Sequence, residues 1–246
     1  MTGDERTALS HWFPAVQKVL PTERYPKTIL VAPPKGCRLL RLLDGDEPTG
    51  LDEFEERLAE AAETIGYPVF LRSDLTSAKH EPGPPCVVRG EKALLRSVSD
   101  IVDYQVQNLI TPIGLDCWAV REMLPITPAF YAFGGLPIVP EVRLIVRGGR
   151  FERSFPYWPA AALEETARRV NGDPMSGGRF TLAMAAMKLA ANNAKDLRQM
   201  REMSEAVCTE LDGDWSIDWM KTDRGWVLID MADADLSWVP EMDTQQ

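Results

Sequence analysis

WSIDWMKTDRGWVLIDMADA, residues 215–234, consists of two runs of aromatic and branched apolar residues joined by the polar turn TDRG. That composition predicts two strands in a hairpin. Each run places one aspartate where an apolar residue is expected, Asp218 in the first and Asp230 in the second. Charged side chains are rarely buried in a sheet without a partner. Pairing around the turn sets the two aspartates, twelve residues apart, across from each other on one sheet face. Two carboxylates held that close repel unless a proton or a cation lies between them, and a divalent cation with oxygen ligands satisfies both. The same pattern also fits two separate solvent-facing residues. Asp233 and Asp235 read as an acidic turn, and the final SWVPEMDTQQ as a loose end.

A second hairpin is predicted in IVPEVRLIVRGGRFERSFPYW, residues 138–158, around the two-glycine turn RGGR. Strand alternation puts Glu141 and Arg143 on one face. Further upstream, PVFLRS predicts a strand that ends in Arg72 and runs into a polar loop, DLTSAKH, which carries Thr76, Ser77, Lys79 and His80. Two cations beside several hydroxyls suit an anion. Glu141 with Arg143 also fits an exposed hairpin edge, and Arg72 a strand end at the surface.

Between these segments, Leu51, Phe54, Leu58, Ala61, Ala62 and Ile65 recur at helical spacing, with Gly66 as the stop. Further helices are predicted in HWFPAVQKVL, from Ser97 to Leu109, in PAAALEETARRV, and over about 180–210. In the last, Phe180, Met184, Met187, Ala191, Ala194 and Leu197 fall on one face, read as core. TILVA and CWAVREML read as strands. The order of elements implies an α+β fold of mostly antiparallel sheets covered by helices. The divisions expected are a short N-terminal segment, 1–65, joined to the core, an N-lobe over 66–125, a C-lobe over 126–240 and a tail over 241–246.

The bulk properties exclude several classes. A net charge of -10 leaves no long-range basic field for nucleic acid or an anionic membrane. Cys37, Cys86, Cys117 and Cys208 show no C-x-x-C spacing, which predicts free thiols and a cytoplasmic location. The polar start MTGDERTALSHW is unlike a signal peptide. No apolar run reaches the roughly 18 residues of a membrane span. The two histidines, His11 and His80, leave little for a histidine-based metal site or nucleophile system.

Four segments in order resemble the ATP-grasp superfamily. PVFLRSDLTSAKH is similar to the strand and small-residue loop over the nucleotide phosphates, and WAVREMLPI to the hinge strand at the adenine. EVRLIV with GGRFERSFPYW resembles the E-x-R strand and its aromatic-ended neighbour, and 215–234 the closing metal-binding hairpin. The resemblance covers about residues 66–235. It is strongest to the divergent clade of the eukaryotic cell-division-cycle assembly factor for a heterotrimeric translation initiation factor. It implies two lobes of mostly antiparallel sheet with the nucleotide between them, and ATP and Mg2+ as cofactors. Arg72 and Lys79 stand where phosphate-binding lysines are expected, with Ser77 and His80 flanking the phosphates. Glu122, Met123 and Leu124 stand at the adenine hinge. Arg143 stands at the γ-phosphate, and catalysis is expected of Arg143 and Lys79. Asp218 and Asp230 stand as metal ligands. Ala232 departs from an expected asparagine, which leaves Asp233 as the further metal candidate.

The resemblance implies an ATP-dependent ligase that joins a carboxylate to an amine or similar nucleophile through an acyl phosphate, releasing ADP. The alternative is an ATP-binding assembly chaperone or adaptor acting on a protein partner, or a protein that has lost ATP. The partners expected are ATP and a carboxylate or protein substrate, with no nucleic acid and no membrane. An acceptor pocket is expected near Tyr157, Trp158 and residues 171–178.

Overall fold

The computed structural model describes residues 6–79, 81, 83–110, 114–132, 136–158 and 193–239. The chain forms two units, one of Met1–Pro14 with Pro26–Leu124, the other of Ala15–Tyr25 with Pro125–Gln246. Residues 26–65 thus belong to the same unit as 66–124. Helix α1 (Leu9–Val19) contributes its first half to the first unit and its second half to the other.

The first unit is a four-stranded sheet, in the order β1 (Thr28–Val31), β4 (Trp118–Glu122), β2 (Val69–Ser73), β3 (Val87–Val88), antiparallel throughout. Helices α2 (Leu51–Ile65) and α3 (Leu94–Gln107) pack on it. The apolar spacing of α2 is buried as the sequence predicts: Leu51, Phe54, Leu58, Ala61 and Ala62 lie in the core. Asp52 and Glu53 in its first turn complement the helix dipole. Gly66, at φ 96°, ends it and donates its amide to the Ala62 carbonyl at 2.8 Å. Val98, Ile101, Leu71, Val120 and Trp118 complete the core, with the Phe54 ring edge-on to Trp118. Each such fully buried large side chain contributes about 1.5–3 kcal/mol of transfer free energy.

The second unit is a four-stranded antiparallel sheet, in the order β10 (Gly225–Asp233), β9 (Trp215–Thr222), β7 (Glu141–Arg147), β8 (Arg150–Pro156). A two-stranded ribbon, β5 (Phe130–Ala132) with β6 (Leu136–Ile138), precedes it. Gly148 (φ 54°) and Gly149 (φ 72°) form the β7–β8 turn, where both central positions need the left-handed region. Helix α4 (Ala194–Cys208) covers one sheet face, and the indole of Trp219 donates to Ser204 Oγ at 3.0 Å.

Helix α4 corrects the sequence-based expectation. Asn193 is extended and its side chain accepts the Asp196 amide at 2.9 Å, so the predicted helix over 180–210 is not continuous through residue 193. Ala194 is exposed and Leu197 half-buried. The buried face is formed by Met200, Ser204, Val207 and Cys208. Phe180, Met184, Met187 and Ala191, the helix predicted at PAAALEETARRV and the loop 171–178 lie outside the described residues.

All four cysteines are free. Among the described residues no helix is long and apolar enough to cross a membrane.

Candidate functional site

The second sheet carries a transverse row of side chains. Phe155 on β8 pairs with Arg143 on β7, Arg143 with Asp218 on β9, and Asp218 with Asp230 on β10. The α4 face carries Trp215, Ile217 and Trp219, so alternation puts Asp218 and its row on the other face. Asp230 reaches that face through an irregularity. The hairpin starts with Thr222 opposite Gly225 and keeps step to Trp219 opposite Leu228, a register that would set Ile229 against Asp218. One extra residue between Leu228 and Asp230 shifts the pairing and brings Asp230 opposite Asp218. By the same alternation Asp233, opposite Trp215, falls on the α4 side. Its Oδ1 accepts the Asp235 amide at 2.8 Å, so it is not brought to the aspartate pair.

Arg143 and Asp218 form a two-pronged ion pair, Nε to Oδ1 at 2.7 Å and Nη2 to Oδ2 at 2.8 Å, with side chains only 12% and 7% exposed. Arg143 also donates Nη1 to the Trp238 carbonyl at 3.2 Å and lies over the Tyr157 ring, 4.8 Å from its centre. Burial opposes the charge of this guanidinium. The hydrogen bond and charge of Asp218, with Tyr157 and Asp230 adding to them, outweigh that and push its pKa above the ordinary value. Arg143 and Asp218, given separate partners by the resemblance, are partners of each other here.

Two opposed carboxylates on one face suit a hard, oxygen-seeking cation. Mg2+ is commonly held by one or two carboxylates while water and substrate phosphates complete its shell. Asp218 and Asp230 fit that requirement as a pair. Among the described residues, no group of three or more His, Cys, Asp and Glu side chains is placed to hold a metal by itself.

In the first unit the predicted anion loop begins where β2 ends. Arg72 is buried, with Nε donating to the Ser73 carbonyl at 3.1 Å, so it is not the surface strand end that one reading allowed. Lys79 is half-buried. Burial drives the Cys86 thiol up to about 12, and the positive charges of Lys79 and Arg72 both act against that rise. The turn between them is closed by Ser73, whose amide donates to the Thr76 carbonyl at 2.9 Å and whose Oγ accepts the Thr76 amide at 3.1 Å. Ser77 is half-buried one residue before Ala78, which holds a left-handed φ of 52° while only 2% exposed. His80 lies outside the described residues.

At the predicted hinge, Glu122 exchanges two hydrogen bonds with Lys27. Its amide donates to the Lys27 carbonyl at 2.9 Å and its Oε1 accepts the Lys27 amide at 2.8 Å. Met123 and Leu124 lie beyond β4, outside regular structure, and the boundary between the two units falls directly after Leu124.

Sequence reasoning missed four contributors, Asp74, Arg147, Ser237 and Trp238. Asp74 caps α1: its carboxylate accepts the Ser10 amide and the Ser10 hydroxyl, each at 2.6 Å, and its carbonyl accepts the Leu9 amide at 3.0 Å. No local signal announces a cap supplied from 64 residues away. Arg147 binds Glu152, Asp214 and Asp235 at 2.8–2.9 Å, so Asp235 is an ion-pair partner rather than a plain acidic turn. Ser237 and Trp238, read as part of a loose end, are anchored to the sheet.

No protein-family model and no curated protein matches the sequence. Solved structures do match. C-terminally truncated Cdc123 from Schizosaccharomyces pombe is similar with a TM-score of 0.58 at 12% identity, over 94% of this chain and 84% of that one. Cdc123 from the same organism gives 0.52 at 13% identity over the same shares. A RimK domain ATP-grasp protein from Sphaerobacter thermophilus gives 0.47 at 14% identity, over 94% of this chain and 60% of that one. The chain has an α+β fold similar to that of Cdc123.

Proposed function

We propose that this protein binds ATP with Mg2+ and works as a ligase, joining a carboxylate to an amine or similar nucleophile through an acyl phosphate with release of ADP. The observation that carries the proposal is the register that sets Asp218 against Asp230, with Arg143 next in the row. Asp218 and Asp230 would hold the metal, which when bound would supply positive charge to the phosphates. Arg143 meets the terminal phosphate, and its guanidinium steadies charge as the phosphoryl group leaves. Arg72 and Lys79 neutralise phosphate oxygens, and Ser77 offers a hydroxyl beside them. The chemistry asks for position and charge balance rather than a covalent enzyme nucleophile, which accords with a chain of two histidines. Tyr157 and Trp158, at the end of β8, line the acceptor side.

A second reading, an ATP-binding assembly chaperone or adaptor without ligation, is favoured by the fold likeness to Cdc123. ADP release from Mg-ATP, measured with a panel of small carboxylates paired with amines, separates the two. Turnover that needs both an acid and an amine supports the ligase. Saturable Mg-ATP binding with no turnover for any pair supports the adaptor. Arg143→Ala still binds Mg-ATP, but more weakly, and loses turnover if Arg143 acts on the transferring group. Equal turnover removes it from the mechanism.

A further inference from the structure

The sheet face that carries Arg143 and Asp218 is crossed by the chain leaving β10. Asp235 Oδ1 lies 2.8 Å from Arg147 Nη2. Ser237 Oγ lies 2.6 Å from Ser216 Oγ and donates to the Asp233 carbonyl at 2.8 Å. The Trp238 ring stands edge-on to Phe155 with centres 6.0 Å apart, and the Trp238 carbonyl accepts from Arg143 Nη1 at 3.2 Å. These anchors follow one another along the sheet from Arg147, past Ser216, to the row of Phe155 and Arg143.

We propose that residues 235–238 form an inhibitory strap whose Trp238 carbonyl occupies the edge of Arg143 that an anionic oxygen takes, so that the strap must lift for the nucleotide phosphate to bind. The proposal rests on the reading of Arg143 as a phosphate contact. One edge of the guanidinium is held by Asp218 through Nε and Nη2 and the Tyr157 ring covers a face, so an anionic oxygen approaches on the Nη1 side, where it meets the Trp238 carbonyl. A phosphate oxygen wins that competition, because a charge-assisted hydrogen bond is roughly twice as strong as one to a neutral carbonyl. The strap is built to yield. Leu236 is 70% exposed and Trp238 49% exposed, so little apolar surface holds it down. A closed strap lowers apparent affinity by the fraction of molecules that are open, and loosening it restores that loss.

The test is calorimetric titration of Mg-ATP into the wild-type chain, Trp238→Ala and Ser237→Ala, with hydrogen exchange of the amides of 235–239 before and after saturation. Trp238→Ala removes the ring contact with Phe155, and Ser237→Ala removes the link to Ser216 with little disturbance elsewhere. The expected result is Mg-ATP binding about threefold or more tighter in both variants, and faster exchange across 235–239 in the saturated wild type. Binding by a variant where the wild type shows none supports the strap in its strongest form. Wild-type binding with unchanged or weaker affinity in both variants and unchanged exchange overturns the strap and leaves the nucleotide reading standing. Absence of binding in all three overturns both. Should Trp238→Ala fail to fold, Ser237→Ala alone decides.

Discussion

Asp230 faces Asp218 only because β10 holds one residue more than the regular hairpin register allows. Without that bulge Ile229 takes the place opposite Asp218 and Asp230 turns toward α4. Arg143 already neutralises Asp218 and also feels the charge of Asp230, so aiming Asp230 at this row leaves one negative charge in excess of the guanidinium. The bulge is understandable as a device for holding a cation. Asp230→Asn is therefore expected to leave the melting temperature of the ligand-free protein unchanged or slightly raised, and to abolish the thermal shift produced by Mg-ATP. A retained shift of wild-type size removes Asp230 from the site.

Arg143 is half-buried and Asp218 buried, and they are bonded through two prongs. Removing one partner leaves the other charge without compensation, which costs about 3 kcal/mol or more. Asp218→Asn should lose that much in urea denaturation. The double substitution Arg143→Met with Asp218→Leu should recover most of it, since an apolar pair of similar volume is often neutral there. A double variant as unstable as the single one contradicts this account of the pair.

Asp74 is expected to matter for the N-terminal helix rather than for charge alone. Asp74→Ala strips both side-chain acceptors from Ser10 and should cost about 1 kcal/mol, the usual worth of a helix cap. Equilibrium unfolding by circular dichroism measures it. No loss shows that the clasp is dispensable.

Glu205 gives a pH signature. The Phe151 amide and Arg201 hold its carboxyl below the usual carboxylate range, against a smaller opposing effect of burial. A depressed folded-state pKa contributes stability that is present above the unfolded value, about 4.3, and is lost as pH falls through the folded value. Wild type should exceed Glu205→Gln in stability by a constant amount near neutrality. The gap should close in acid. A gap that persists or widens in acid reverses the sign and refutes the assignment.

Burial pushes the thiols of Cys86, Cys117 and Cys208 up to about 12. At pH 8 each is then thiolate in only ~1 molecule in 10,000, and thiolate is the reactive form. Iodoacetamide should label Cys37 first, since its pKa is raised but the residue is half-buried rather than enclosed. The buried Cys86 and Cys208 should resist until the protein unfolds, and Cys117, half-buried like Cys37 but with its thiol pushed up further, should label more slowly than Cys37. Early labelling of Cys86 contradicts the packing around β2.

Much of this architecture is legible in the sequence because its signals are local. Two glycines at 148–149 announce the β7–β8 turn, the spacing from Leu51 to Ile65 gives α2, and the turn at 222–225 gives the last hairpin. What the sequence hides depends on contacts distant along the chain or on a single extra residue. The bulge at Leu228–Asp230 leaves no compositional mark. The Asp74 cap acts on a helix far upstream, and the tail reads as loose because its anchors, Arg147 and Arg143, are on another hairpin. The start of α4 has a local signal, because Asn193 is a preferred helix-capping residue, but the apolar spacing that runs through it from Phe180 to Leu197 predicts a continuous helix.

The most direct measurement is calorimetric titration of ATP into the protein with excess Mg2+ and again with excess EDTA. The account predicts saturable binding with the metal, at least about tenfold weaker binding when the metal is withdrawn, and no metal-dependent component in Asp230→Asn. Equal ATP affinity in Mg2+ and EDTA, or metal-dependent binding that survives in Asp230→Asn, contradicts the claim that the aspartate pair holds the nucleotide's cation.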